Sequence, residues 1–322
     1  MLYDRFNRVL KNLRISVTYD CNFNCLYCHH EGWSNRSSDV LTAEEIQTVS
    51  SVARFLGIDE FKLTGGEPLL RKDIVKIVSA LRELKPRDIS ITTNGFLLEK
   101  LVGPLSEAGL MRLNVNLPTL SREKYRMITG VDGLENVLKG IEAAHNYKLP
   151  ITLNVVLLNG INNEEYKELI NFAQRYEAKI RFIELEPIMV DMEMYKRLYA
   201  SANKIIEYLE ATSVFKTYRE LNRRPIYTIS NGIRVEVVKW LGNRYFCSYC
   251  NRIRLSPSGI LKPCIMVEYG IDLKPFLRPT TNYNELKNAF INVNQMRIPY
   301  NMIHHRDTGG INTRIDRSIQ SH

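Results

Sequence analysis

The sequence predicts an α/β protein built on a partial (β/α)6, TIM-like barrel. Three observations lead to this fold: short apolar segments rich in β-branched residues, amphipathic helical stretches that alternate with them, and hairpin patterns in the last third of the chain. A strand followed by a helix, repeated about six times, predicts a parallel sheet. Six units are fewer than the eight of a closed barrel, so one side is expected to stay open.

Six predicted strands account for the apolar, β-branched segments in the first two thirds of the chain. They are residues 13–19, 60–64, 88–92, 111–117, 151–158 and 179–185. Thr42 followed by Glu45 has the pattern of a helical capping box, and Gly57 is the expected stop of that helix. Two later helix starts have the same pattern: Asp132 with Glu135, and Asn162 with Glu165.

The last third of the chain predicts two β-hairpins. Residues 225–240 are expected to turn at Gly232, and residues 251–263 at Gly259. Because an open barrel needs a cover, we expect this C-terminal extension to close the open side. The predicted domains are a barrel at 1–210 and a C-terminal domain at 211–322.

Composition indicates a soluble globular protein that acts in the cytoplasm. Of the 322 residues, 44% are hydrophobic and 25% are charged. Charges interrupt the N-terminal segment, so it does not resemble a signal peptide, and no apolar run is long enough to span a membrane. The net charge of +9 favours a polyanionic partner, either nucleic acid or a nucleotide with several phosphates. Basicity that serves solubility alone is the alternative.

All six cysteines fall into two groups of three, and the first group follows the first predicted strand. It comprises Cys21, Cys25 and Cys28. Close spacing and a reducing compartment favour metal or cluster ligation over disulfides. A four-iron cluster normally takes four cysteines, so three leave one iron open to a small molecule. A zinc site completed by His29 or His30 is the alternative.

The second group, Cys247, Cys250 and Cys264, also leaves one ligand position open. Arg252 and Arg254 alternate on a predicted strand, so both guanidinium groups face one side and suit phosphate oxygens. Two alternatives stay open. The cysteines could form a zinc knuckle with a histidine at 304 or 305, and the arginines could lie on a solvated strand face.

The segment Thr64-Gly65-Gly66-Glu67-Pro68 follows the second predicted strand. Its glycines allow the backbone to approach a ligand closely, and Glu67 and free backbone carbonyls can accept hydrogen bonds from an ammonium group. The alternative is an ordinary turn before a helix at 71–85.

These motifs resemble the signatures of the radical S-adenosylmethionine (SAM) enzymes. The resemblance rests on Cys-x3-Cys-x2-Cys with Tyr27 before the third cysteine, and on Gly-Gly-Glu-Pro. It implies that SAM binds the open iron through its amino and carboxylate groups. An electron from the cluster then cleaves SAM to a 5′-deoxyadenosyl radical, which abstracts a hydrogen atom.

Within that superfamily the chain resembles the GTP 3′,8-cyclase family from about Leu13 to Gly310. The matching stretches are LRISVTYDCNFNCLYC, KLTGGEPLLRKDI, ITTNGFLL, ITGVDGLENVLKGIEAA, RFIELE and CSYCNRIRLSPSGILKPC. The resemblance implies a lyase with two [4Fe-4S] clusters and SAM, which converts GTP to (8S)-3′,8-cyclo-7,8-dihydroguanosine 5′-triphosphate. That reaction is the first step of molybdenum cofactor biosynthesis. An electron donor and a next enzyme that takes the product are implied partners, nucleic acid and membrane are not expected, and a homodimer is left open.

The resemblance also assigns site residues. The implied SAM contacts are Tyr27, Gly66 and Asn116. The implied GTP contacts are Arg14, Lys62, Thr92, Arg252 and Arg254. The implied cluster ligands are Cys21, Cys25 and Cys28 for the first cluster, and Cys247, Cys250 and Cys264 for the second. Arg181 is a candidate catalytic residue that steers the radical or the substrate, with a buried structural arginine as the alternative.

The chain departs from the family pattern at several positions. Lys62 replaces an arginine that many members have, and Asn116-Leu117-Pro118 replaces Ser-Leu-Asp, which weakens the SAM contact assigned to Asn116. Thr152 replaces a lysine, and Glu186 replaces a methionine that often lies near SAM. Twelve residues follow the Gly309-Gly310 pair that ends other members. The effects of these departures, and the reductant, are left open.

Two other functions are compatible with parts of the sequence. One is a radical SAM enzyme that modifies peptides or proteins, although such enzymes usually carry more cysteines in their extensions. The other is a non-catalytic, basic iron–sulfur or zinc protein that binds nucleic acid. Aromatic residues interleaved with basic ones between 243 and 252 favour it, but it leaves Gly-Gly-Glu-Pro unexplained.

Overall fold

A twelve-stranded sheet organises the part of the chain that this computed structural model describes, residues 1–240 and 243–299. A separate antiparallel pair, β1 (Leu2–Tyr3) and β2 (Val9–Leu10), precedes it. The six central strands are parallel: β3 (Asn12–Ser16), β4 (Glu60–Thr64), β5 (Asp88–Thr93), β6 (Arg112–Asn116), β7 (Ile151–Leu157) and β8 (Lys179–Glu184). The predicted partial barrel with alternating strands and helices is confirmed.

Most of the helices follow the central strands, and the last three lie among or after the C-terminal strands. The helices are α1 (Ala43–Phe55), α2 (Ile74–Glu83), α3 (Leu98–Glu107), α4 (Arg122–Thr129), α5 (Leu134–Asn146), α6 (Tyr166–Arg175), α7 (Met192–Leu198), α8 (Asn203–Thr212), α9 (Arg244–Ser248), α10 (Lys274–Leu277) and α11 (Tyr283–Gln295). The capping box of α1 is confirmed, since Thr42 N donates to Glu45 Oε2 over 2.8 Å and Glu45 N donates to Thr42 Oγ1 over 3.2 Å. Gly57 follows the end of α1 with a φ of 91°.

The two other predicted helix caps are wrong. Helix α5 begins at Leu134 without a side-chain cap, because Asp132 pairs with Arg122 at 2.7 Å instead. Asn162 Oδ1 accepts a hydrogen bond from Leu158 N over 2.7 Å, and Asn162 Nδ2 donates to Pro118 O and to Val156 O of β7. Local spacing predicts a cap only when no partner elsewhere competes for the side chain.

The C-terminal strands extend the sheet at both edges. These strands are β9 (Ser213–Tyr218), β10 (Pro225–Ile229), β11 (Arg234–Val238), β12 (Arg252–Leu255), β13 (Ile260–Lys262) and β14 (Ile271–Asp272). Both predicted hairpins form, as β10 with β11 and β12 with β13. However, β11 pairs in parallel with β8, and β12 pairs in parallel with β3 at the opposite edge. The division at 210/211 stays a prediction, because one sheet runs through both parts.

The inner face of the sheet carries a row of charges. On β3, Leu13 and Ile15 are fully buried in the apolar core, while Arg14 between them lines a cavity. The register places Arg254 of β12 beside Arg14, and Arg14 beside Lys62 of β4. Strand alternation and parallel register therefore gather cations from sequence positions far apart. Within residues 1–240 and 243–299, none of the helices could cross a membrane.

Candidate active site

A cavity of about 300 Å³ lies at the carboxyl ends of the parallel strands, and all six cysteines line it. No disulfide joins these cysteines to one another. The first group comes from the loop after β3, while the second comes from α9 and from the segments that flank β12 and β13. The fold thus brings two cysteine groups, more than 200 residues apart in sequence, to one site.

The first cysteine loop is poor in cations. Burial, together with the neighbouring Cys28 and Cys21, raises the pKa of Cys25 to about 12. A hydrogen bond from Tyr27 acts in the opposite direction but is too weak to offset burial. Burial also raises the pKa of Cys21 and of Cys28. Three crowded thiols of this kind fit an iron–sulfur cluster. The positive charge of its iron ions would stabilise the thiolates, which the protein has few cations to do here.

The Gly-Gly-Glu-Pro segment packs on the first cysteine loop. Gly66 N donates to Thr18 O over 2.8 Å, and Glu67 N donates to Asp20 O over 2.7 Å. A Cβ atom on Gly66 would lie 2.1 Å from Asp20 O, and Gly65 has a φ of 148°. The close approach that the glycines permit in this structure is therefore to the backbone of the cysteine loop.

The carboxylate of Glu67 is hydrogen-bonded to the end of β5, although Glu67 also lines the cavity. It accepts hydrogen bonds from Leu69 N, from Thr93 Oγ1 at 2.6 Å and from Asn94 N at 2.7 Å. Burial raises its pKa to about 7, although these donors act against the rise. Three of the roughly four acceptor positions of this carboxylate are therefore occupied by the protein, which leaves the backbone carbonyls of the segment as the main acceptors for an ammonium group.

The second cysteine group lies among arginines. Burial by itself would raise the pKa of Cys250, but the charges of Arg252, Arg297 and Arg8 outweigh burial and lower it to about 6. Burial raises the pKa of Cys264, with Arg254 and Arg252 acting against the rise. A thiolate is thus easier to form at Cys250 than at Cys25 of the first loop. Their donor chemistry again fits an iron–sulfur cluster.

The zinc alternatives gain no support from the described residues. There, no group of three or more His, Cys, Asp and Glu is placed to hold a single metal ion. His29 Nδ1 already accepts a hydrogen bond from Glu31 N, and His30 Nδ1 lies 3.6 Å from Cys28 Sγ. A four-iron cluster is larger than one ion, so its ligands stand further apart. The predicted roles of the histidines at 304 and 305, and of the glycines at 309 and 310, lie outside the described residues.

The residues implied as GTP contacts share the cavity. Arg14, Lys62, Thr92, Arg252 and Arg254 all line it. Lys62 has no ion-pair or hydrogen-bond partner among the described residues. Its pKa is well below the usual range, because of burial first and the charges of Arg112, Arg14 and Arg181 second. A buried amine among arginines favours the binding of an anion.

The residues implied as SAM contacts lie at the same mouth of the barrel. Tyr27, Gly66 and Asn116 line the cavity with the first cysteine group. Asn116 Oδ1 accepts a hydrogen bond from Asn154 Nδ2 over 3.1 Å. Asn154 Oδ1 in turn accepts one from Arg181 Nη1 over 2.9 Å.

Arg181 forms an ion pair and a hydrogen bond with side chains of the protein. Its Nε pairs with Glu236 at 2.8 Å, and its side chain is 8% exposed. These contacts favour the structural alternative for Arg181, although it also lines the cavity.

Thr152 lies buried on β7 in register with Lys179 of β8, and Glu186 lies in the cavity wall.

Sequence reasoning missed three cavity arginines, Arg112, Arg219 and Arg224. Arg112 is held by Asp88 on the neighbouring strand, with contacts of 2.7 and 2.6 Å. Arg219 and Arg224 each lie 3.5 Å from Glu236. A signal existed in the basic stretch RELNRRP, which ends at the first residue of β10, but its middle arginine, Arg223, stacks on Tyr249 instead. Only the fold shows which arginines of this stretch line the cavity and which one does not.

Family models match almost the whole chain. The model of the Radical SAM superfamily matches residues 15–173, and the model described as Molybdenum Cofactor Synthesis C matches residues 178–303. A probable GTP 3′,8-cyclase of Thermococcus kodakarensis is 40% identical over 93% of this chain and 99% of its own. A probable GTP 3′,8-cyclase of Saccharolobus islandicus is 44% identical over 84% of this chain and 87% of its own.

Solved structures with the same fold are more distant in sequence. Streptococcus suis SuiB bound to S-adenosylmethionine has a TM-score of 0.64 at 16% identity, over 88% of this chain and 66% of that chain. The protein anSMEcpe with bound AdoMet has a TM-score of 0.58 at 18% identity, over 85% and 81% of the two chains. These structures share the fold, while the family models and the curated relatives show that this chain belongs to the radical SAM superfamily and, within it, to the family of the GTP 3′,8-cyclases.

Proposed function

We propose that this protein is a radical SAM lyase that converts GTP to (8S)-3′,8-cyclo-7,8-dihydroguanosine 5′-triphosphate, the first step of molybdenum cofactor biosynthesis. The observation that carries the proposal is the composition of the cavity. Two cysteine groups and eight Lys and Arg side chains line it together. Radical chemistry alone does not need so many cations, whereas a bound triphosphate does.

The first cysteine group and the Gly-Gly-Glu-Pro segment are assigned to SAM and a [4Fe-4S] cluster. When bound, this pair supplies a 5′-deoxyadenosyl radical for hydrogen abstraction from the substrate. Cys21, Cys25 and Cys28 would hold the cluster. Tyr27, packed against Cys25, and the backbone around Gly66 would orient SAM. A second cluster on Cys247, Cys250 and Cys264 belongs to the proposal.

The cationic row is assigned to the triphosphate. Arg14, Arg252 and Arg254 offer guanidinium forks to phosphate oxygens, and Lys62 offers an amine that has no hydrogen-bond or ion-pair partner among the described residues. Arg219 and Arg224 add charge from the β9–β10 side of the cavity. Holding the triphosphate restricts the motion of the ribose to which it is attached. Restriction matters here because a radical reacts with whichever C–H bond lies closest.

The proposal includes partners that the chain does not contain. An electron donor must reduce the first cluster, and a following enzyme must take the cyclised product. We assign the reaction to the cytoplasm, with neither nucleic acid nor a membrane as partner, and leave a homodimer open.

The decisive experiment is a GTP-dependent SAM cleavage assay. The protein is reconstituted anaerobically with iron and sulfide, and dithionite, SAM and GTP are added. We expect 5′-deoxyadenosine to increase when GTP is present, with an equal amount of cyclised nucleotide. The readout is liquid chromatography with mass detection of both products.

Two outcomes would contradict the proposal in different ways. Slow SAM cleavage that GTP does not change would keep the superfamily but remove GTP as substrate, and peptide modification would then be tested. Absence of 5′-deoxyadenosine with intact clusters would remove radical chemistry, and nucleic acid binding would be tested next.

A further inference from the structure

Glu31, three residues after Cys28, joins two of the cavity arginines. Its Oε1 accepts hydrogen bonds from Arg14 Nη2 and Thr64 Oγ1, each over 2.8 Å. Its Oε2 accepts a hydrogen bond from Arg254 Nη1 over 2.5 Å. Glu31 is buried, with 5% of its surface exposed. A guanidinium group has five N–H donors, so each arginine keeps most of its donors for another anion.

The backbone of Glu31 is held in an unfavourable conformation. Its φ is 55° and its ψ is 19°, and Glu is not a residue that commonly adopts this left-handed region. His29 Nδ1 accepts a hydrogen bond from Glu31 N over 3.0 Å, which helps to hold the turn. Strained non-glycine residues persist where surrounding contacts over-determine them, and they cluster at functional sites.

The segment around Glu31 also touches the strand that leads to the second cysteine group. Gly32 O accepts a hydrogen bond from Lys262 Nζ over 2.9 Å, and Lys262 lies 4.5 Å from the ring centroid of Trp33. A Cβ atom on Gly32 would lie 2.6 Å from Ile265 O. Residues 29–33 are therefore wedged between the first cysteine loop and the segment that carries Cys264.

Arg14 and Arg254 need a carboxylate between them. They are directly paired across neighbouring parallel strands, where like charges repel. Glu31 offsets this repulsion and fixes one N–H of each guanidinium group. We infer that Glu31 is a positioning residue, which sets the orientation in which Arg14 and Arg254 meet the phosphates of the substrate. This inference rests on the proposed function, in which those phosphates belong to GTP.

Electrostatics and positioning predict opposite results for Glu31→Gln. Removing a carboxylate from an anion site should strengthen anion binding if charge alone matters. If Glu31 orients the arginines, its loss should weaken GTP binding by about tenfold, the scale of one charge-assisted hydrogen bond. Equilibrium dialysis of the anaerobic holoprotein with labelled GTP measures the Kd. Iron content and the unfolding midpoint are recorded beside it.

Glu186→Gln is the matched control. Glu186 lines the same cavity and acts electrostatically on Arg14 and Arg252. Among the described residues, however, it makes no hydrogen bond or ion pair. Its removal is expected to leave the Kd for GTP unchanged or to lower it. A Glu31→Gln protein that behaves like Glu186→Gln, with equal or tighter GTP binding, overturns the inference.

Thr64→Val keeps the test decisive if Glu31→Gln fails to fold or to hold iron. It removes one hydrogen bond to Glu31 Oε1 and keeps the shape of the side chain, so we expect a twofold to fourfold weaker Kd, roughly half of the larger effect in free energy. A wild-type Kd in Thr64→Val, with Glu31→Gln unfolded, overturns the inference.

Inorganic tripolyphosphate separates this inference from the proposed function. If the wild-type protein binds tripolyphosphate but not GTP, the nucleotide assignment is wrong, and the Glu31 comparison is made with tripolyphosphate. If it binds neither, both proposals are overturned.

Discussion

The two cysteine groups share a cavity but differ in the charges that surround them. In the first loop, burial and neighbouring thiols raise the pKa of Cys25 to about 12. In the second, Arg252 and Arg297 outweigh burial and lower the pKa of Cys250 to about 6. The first loop therefore depends on a bound cation to form thiolates. The second has protein cations that stabilise the Cys250 thiolate and would also meet an anionic substrate.

The comparison indicates a division of labour. A loop poor in cations suits SAM, which carries a positive sulfonium group, while a cationic wall suits a triphosphate. Sulfonium and triphosphate would then meet different parts of one cavity wall, which we call the SAM end and the phosphate end. The following predictions test whether the two ends are separable, from the largest expected effect to the smallest.

Removing one cysteine from each group should separate the two activities. We expect Cys25→Ala to abolish 5′-deoxyadenosine formation and to lower bound iron from about eight to about four atoms per chain. Cys250→Ala should lose a similar amount of iron and all cyclised product but retain some SAM cleavage. Iron analysis and product chromatography measure both. Cyclised product from Cys250→Ala would remove the second cluster from the proposal.

Gly66→Ala should damage the SAM end in particular. A Cβ atom would lie 2.1 Å from Asp20 O, so the cysteine loop must shift. We expect transition-state stabilisation in SAM cleavage to fall by about 3 kcal/mol, which lowers kcat/KM for SAM roughly a hundredfold. Gly160→Ala is the control, because nothing lies within 4 Å of its added Cβ atom, so this variant adds only the backbone strain of its φ of 72°. Equal losses in the two variants would contradict the packing argument.

Because of Glu67, the free energy of unfolding of the protein should fall as the pH rises. Its pKa is raised from 4.5 to about 7, so the folded protein retains a proton that the unfolded chain releases. Stability should therefore fall with rising pH across that window. Relative to Glu67→Gln, the wild type should lose about 2 kcal/mol between about pH 5.5 and pH 8. Denaturant titrations of both proteins at each pH measure the difference, and a constant difference would contradict the raised pKa.

Arg219→Ala should affect only the phosphate end. Arg219 lines the cavity and lies 3.5 Å from Glu236. We expect the KM for GTP to rise about tenfold with little change in kcat, because the lost contact is made equally before and during the reaction. Arg223→Ala is the control from the same turn, since Arg223 is exposed and stacks on Tyr249. A kcat effect without a KM effect would place Arg219 elsewhere in the mechanism.

Local patterns account for much of what the sequence predicts correctly. The six central strands follow from β-branched periodicity, and the cap of α1 follows from Thr42 and Glu45. The same reasoning is wrong for Asp132 and Asn162, whose side chains find partners in other segments. A short motif competes with every other polar group that the fold brings near it.

The candidate site divides in the same way. The sequence by itself determined the two cysteine groups, the tight Gly65-Gly66 segment and the alternation that turns Arg14 inward, because each depends on spacing within a few residues. Only the tertiary structure decided that β11 and β12 join opposite edges of the sheet, that Glu67 is hydrogen-bonded to the end of β5, and that Glu31 links Arg14 to Arg254. The hydrogen bond between Glu31 and Arg254 joins residues 223 positions apart, and the pairing of β12 with β3 joins residues still further apart. They depend on strand pairing and register across the whole sheet, which no local pattern encodes.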